Sequence, residues 1–97
     1  MRERIDYLKM TKHGKSRARE RVGIPARAVQ RAARCAFERG QPVWATDRAY
    51  TVSVLHGAHV WHFSLNEGDI PVLTTVFPTT FYDWGNEGAL RAIDLEH

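Results

Sequence analysis

His13, Arg17 and Arg21 follow one another at intervals of four residues, the spacing that lines side chains along one face of a helix. Like charges so placed repel by a few tenths of a kcal/mol, so a compensating group is expected: a phosphate, a carboxylate or the edge of a sheet. The blander alternative is that Arg17 or Arg21 pairs with Glu20, Asp47 or another acid and fastens helix to sheet. Guanidinium groups that do converge on one phosphate bind it through paired, charge-assisted hydrogen bonds. Arg27, Arg31 and Arg34 form a second cationic row, and Arg48 stands further along the chain. His56 and His59 bracket a Gly-Ala dipeptide, but two imidazoles without a nearby carboxylate or thiolate make a poor metal site. They read as a solvent-exposed turn pair, and no metal is expected. Cys35 is the only cysteine, which excludes an internal disulfide and a CxxC zinc site and leaves a small hydrophobe among alanines. Trp44, Trp61 and Trp84 could stack on bases as an RNA-binding platform, although Trp61 is assigned to the core. Phosphate-loop, dinucleotide-fingerprint and HExxH runs are all missing, so no cofactor is expected.

Charge is divided unevenly along the chain. Residues 1–40 hold 12 Lys and Arg against 4 Asp and Glu, and residues 41–97 hold 2 against 7, giving +8 and −5. A basic block of that density raises a positive potential suited to RNA or another polyanion. The same block could instead meet the acidic half of a neighbouring chain, either another protein or a second copy in a homodimer. At 97 residues the chain suits one small domain with a single core, assigned to residues 1–94; Leu95-Glu96-His97 read as the start of a purification tag. No apolar run approaches the roughly 20 residues of a membrane span, and the N-terminus lacks a signal-peptide centre, so a cytoplasmic home away from membranes is expected.

The elements that must position these residues follow from capping and periodicity. Thr11 can cap a helix over residues 12–21 that Gly23 terminates. Its apolar stripe is only Gly14, Ala18 and Val22, which permits very close packing. Pro25 marks the start of a second helix reaching Arg39 and stopped by Gly40. Val29, Ala32, Ala33, Ala36 and Phe37 form its apolar face, with Arg27, Arg31 and Arg34 on the wet side. From Arg48 the period becomes alternating. A tight turn at His56-Gly57-Ala58-His59 would set Tyr50, Val52 and Val54 opposite Leu65, Phe63 and Trp61 on the core face. Thr51, Ser53 and Leu55 would then oppose Ser64, His62 and Val60 on the open face. A turn at residues 66–69 leads to a third strand over residues 72–77, whose buried face the pattern leaves undecided. The tail to Ile93 carries Phe81, Tyr82 and Trp84 before a short helix. Residues 1–10 are compatible with either a short strand or an irregular lead-in.

The opening Thr11-Lys12-His13, with Arg17, Arg21, Gly23 and Ile24 at fixed spacing, resembles a group of small phage and prophage proteins that open T-K-H-x3-R-x3-R-x-G-[IL]. Those proteins also carry an aromatic strand pair and a TV motif, here Trp61-His62-Phe63 and Thr75-Val76. The opening is similar, too, to a domain family related to the RelE and BrnT type ribonuclease toxins. The resemblance spans residues 10–78 and implies an α+β fold with two N-terminal helices on one face of a small antiparallel sheet of three to four strands.

It also implies a role as an RNA-directed basic protein and a metal-independent endoribonuclease. Such cleavage needs a base for the ribose 2′-hydroxyl, cations for the phosphorane and an acid for the leaving oxygen. His62, titrating near neutrality between Ser53 and Ser64, is the base or acid candidate. Arg17, Arg21 and Arg48 would supply the cations and Tyr82 could approach the same face. Residues 49–90 contain no Lys or Arg, so the cations must come from outside the strands. The rival reading, from another class, is a phage-encoded interaction protein that binds and inhibits a host protein.

Overall fold

Thr11 opens the first helix as its position predicts, its hydroxyl accepting the Gly14 N–H at 2.8 Å. Gly23 closes that helix in the left-handed region at φ 81°, its N–H donating to the Arg19 carbonyl. The result is α1, Lys12–Val22, followed by α2, Ala26–Arg39, which Pro25 precedes in extended conformation. The computed structural model describes residues 7–43, 51–65, 70–84 and 90–92, with the strands at 82–84 and 90–92 described as backbone. Arg48, like Trp44, Asp47, Tyr50 and the turn at residues 66–69, lies outside the described residues, as does the Tyr82 side chain.

Five strands form one sheet that does not close on itself: β1 (Lys9–Met10), β2 (Gln41–Val43), β3 (Thr51–His56), β4 (His59–Ser64) and β5 (Val72–Pro78), in the order β1-β5-β4-β3-β2. The central β3–β4 hairpin has the register read from sequence, with Val52 opposite Phe63, Ser53 opposite His62, Val54 opposite Trp61 and Leu55 opposite Val60. Gly57, at φ 66°, makes its turn.

The expected antiparallel sheet of three to four strands is corrected in two respects. The sheet has five strands and is mixed, because β1 runs parallel to β5 with Lys9 beside Val72. Both added strands lie at edges and are too short to leave a period. β1 is fixed by long-range bonds: Lys9 N–H to the Pro71 carbonyl and Thr11 N–H to the Leu73 carbonyl, each 3.0 Å. The Gln30 side-chain amide completes the attachment, accepting from Leu8 N–H and donating to Leu8 C=O, both at 2.9 Å. β2 holds Pro42, which an edge strand tolerates. The expected terminal helix is also absent from the described residues. Thr79–Phe81 forms a 3-10 turn, and β6 (Tyr82–Trp84) pairs antiparallel with β7 (Leu90–Ala92) in a separate ribbon. Aromatic residues favour strands, and Gly85 and Gly88 lower the helix propensity between them.

Both helices pack on one sheet face, as the apolar stripes require. Val29, Ala33, Ala36 and Phe37 of α2 share a buried cluster with Val54, Trp61 and Phe63, joined by Leu8, Ala18, Leu73 and Val76. The Phe37 and Phe63 rings meet edge to face at 5.2 Å. β5 contributes to this face through a bulge: His62 pairs with Thr75 but Phe63 with Leu73. The extra residue lets Leu73 and Val76 both point at the helices. α1 crosses β5 so closely that a Cβ at Gly14 would overlap the Leu73 carbonyl. The opposite face, expected to be open, is instead substantially buried. Val60 is enclosed there with Val43, Leu55 and Phe77 packed against it, and Ser53 and His62 are buried beside them.

Candidate nucleic-acid interface

The row His13–Arg17–Arg21 forms on α1 as its spacing dictates, and each member finds a protein partner. Arg17 donates from Nε to His13 Nε2 at 3.2 Å and from Nη1 to Glu20 Oε1 at 3.2 Å. Arg21 reaches the sheet, where Nη1 donates to the Val76 carbonyl at 2.9 Å beyond the stretch of β5 that β1 covers. Its guanidinium also lies 4.5 Å from the centre of the Phe77 ring. Of the compensating groups the sequence admits, the structure therefore uses a carboxylate for Arg17 and the sheet edge for Arg21.

Other cations of the helical layer face outward. Lys12, Lys15 and Arg19 on α1 and Arg27, Arg31 and Arg39 on α2 are all exposed, while Arg34 is half-buried. Glu20 and Glu38 are the only acids within residues 12–39. Sequence reasoning did not single out a second row on α1: Lys12, Lys15 and Arg19, at i, i+3 and i+7, also share a face. Their position away from the Gly14–Ala18 stripe was the signal that marks them as exposed. α2 follows the expectation in burying Val29, Ala33, Ala36 and Phe37 and exposing Arg27 and Arg31, but Arg34, expected on the wet side, has its Nε buried.

His62 sits at the centre of the sheet, across from Ser53 and Thr75. Its Nδ1 shares a 2.8 Å hydrogen bond with Ser53 Oγ, and its backbone carbonyl accepts from Thr74 Oγ1 at 3.1 Å. The ring stands edge-on to Phe77 at 5.9 Å. The residue is 6% exposed, and burial pushes its pKa down from 6.5 to about 4. At neutral pH it is an uncharged imidazole beneath the surface, apart from the exposed cations of the helices.

The two turn histidines are half-buried and do not converge. His56 Nε2 lies 3.6 Å from the half-buried Cys35 Sγ, whereas His59 Nε2 donates to the Arg21 carbonyl at 2.9 Å. Among the described residues no helix is long and apolar enough to cross a membrane. Compared with known family models, curated proteins and solved structures, the chain has no match.

Proposed function

We propose that the protein binds RNA through the outward surface of its two-helix layer. The observation that carries this reading is the set of exposed cations Lys12, Lys15, Arg19, Arg27, Arg31 and Arg39 on two adjacent helices that contain only Glu20 and Glu38 as acids. Assembling so many like charges costs stability through mutual repulsion, and a polyanion that neutralises them releases its own counterions on binding. This is the RNA-directed role that the RelE and BrnT resemblance implies, with the helices rather than the strands holding the cations. The reading is one of binding. Cleavage through His62 would require a ribose to reach a ring that is 6% exposed.

The test is a titration of labelled single-stranded RNA at about 50 and 200 mM salt. The parent should lose affinity steeply between the two. Arg27→Ala with Arg31→Ala should weaken binding across sequences and flatten the salt slope by about 0.7 for each phosphate no longer neutralised. Equal binding by parent and variant, or no binding at either salt, defeats the proposal.

One observation favours the rival reading, inhibition of a host protein. Tyr7 and Ile70 are exposed large apolar residues, 61% and 42%, flanking the paired segments of β1 and β5 at the same end. A protein interface built there would be insensitive to salt.

A further inference from the structure

Three elements bring an aromatic pair and a cation together where β5 ends. Pro78 closes the strand, and the 3-10 turn Thr79–Phe81 follows it. That turn is tied to the β3–β4 turn by a 3.1 Å bond from Thr79 N–H to the Ala58 carbonyl. It leaves Phe81 beside Phe77, with ring centroids 5.1 Å apart and planes inclined at 34°. The C-terminal end of α1 arrives at the same place. The Arg21 guanidinium lies 4.5 Å from the Phe77 ring centre and 5.6 Å from that of Phe81, and its bond to the Val76 carbonyl pins it. His59 holds the helix end from below through the Arg21 carbonyl.

Phe77 is largely spent on the fold, packed against Val60 on the sheet. Phe81 is 41% exposed. It differs from the other exposed apolar residues in standing within a fixed stack that already contains a cation. A flat ring with one side supported and a positive charge beside it is the composition of a single-strand binding platform, since every base has a face to stack and the cation favours both the base and its phosphates. The platform adjoins the end of α1, which also carries the exposed Arg19. Because Phe77, Arg21 and the turn are held by the fold, little side-chain freedom remains to be lost on binding.

We propose that Phe81, backed by Phe77 and Arg21, stacks on an unpaired nucleobase of single-stranded RNA whose phosphates run along the helical layer. The proposal rests on the RNA-binding reading and adds a preference for single strands. In an A-form duplex the bases are stacked on one another and their faces are closed to a side chain.

The experiment compares a labelled single-stranded oligoribonucleotide with the same sequence annealed to its complement, using the full chain. Phe81→Ala should weaken single-strand binding about tenfold, a typical loss for one stacked base, with less than a twofold change for the duplex and an unchanged salt slope. Phe81→Leu keeps an apolar side chain against Phe77 but offers no flat face, and should lose about as much. Phe81→Trp should restore binding, and its added indole emission should be quenched by the single strand. A parent that binds both RNAs while Phe81→Ala and Phe81→Leu bind the single strand equally well overturns the platform and leaves the basic-layer reading standing. A parent that binds neither RNA overturns both.

Discussion

Burial of an imidazole costs it its proton, and His62 shows the consequence for stability. Its pKa falls from 6.5 to about 4 because a charged ring would lose its hydration at a site 6% exposed. Between those two values the unfolded chain takes up a proton that the folded chain refuses, so stability is full above about pH 6.5 and declines as pH falls toward about 4. The whole shift corresponds to about 3 kcal/mol. His62→Gln removes the titration, so urea midpoints of the variant should change less between pH 7 and 5 than those of the parent. Parallel pH profiles would place the imidazole in solvent. Arg21 makes the complementary point about charge. A guanidinium whose spacing admits a phosphate, a carboxylate or a sheet edge is held by a strand carbonyl and two aromatic rings, a choice that depended on what stood opposite it in the fold.

At the scale of elements, the least conspicuous attachment is that of β1. Two residues of parallel strand have little pairing of their own, and the Gln30 amide supplies what a longer neighbour would have given by bonding both backbone groups of the buried Leu8. Gln30→Ala leaves that donor and acceptor unpaired, at a cost of about 1–3 kcal/mol. Gln30→Glu keeps the acceptor for Leu8 N–H but loses the donor to its carbonyl. Both variants should speed hydrogen exchange at the Leu8 and Lys9 amides more than at amides in the middle of α2, the pattern of local opening. Uniform acceleration everywhere would mean that β1 opens only when the whole molecule unfolds. The approach of α1 to β5 is equally local in cause: Gly14 permits it because no Cβ intervenes.

For the molecule as a whole, one cluster joins both helices to the central strands, and Trp61 lies within it at 3% exposure. Trp61→Ala should cost about 3–5 kcal/mol, a large share of the roughly 5–15 kcal/mol that stabilises a folded chain. A thermal melt within a few degrees of the parent would contradict its place in the core. Above that core the described residues expose Lys12, Lys15, Arg19, Arg27, Arg31 and Arg39 on the helices. The mapping is direct: nine of the Lys and Arg residues fall within residues 12–39, and the two helices formed there share one sheet face.

Local physics was legible in the residues. The caps at Thr11 and Gly23, the alanine face of α2 and the register of β3 on β4 follow from short-range bonding and from an alternation that a one-residue slip would turn inside out. So was the cationic character of the helical layer, because composition alone sets it. The tertiary structure decided the rest wherever a partner is remote in sequence. It paired β1 with β5 across more than sixty residues and used a bulge to resolve the undecided face of β5. It buried His62 on a face that alternation alone leaves open, and it gave Arg17 and Arg21 to Glu20 and Val76. Spacing can show which side chains share a face. What that face meets depends on non-local packing, and in this chain that packing separates the cations held by the fold from those left facing solvent.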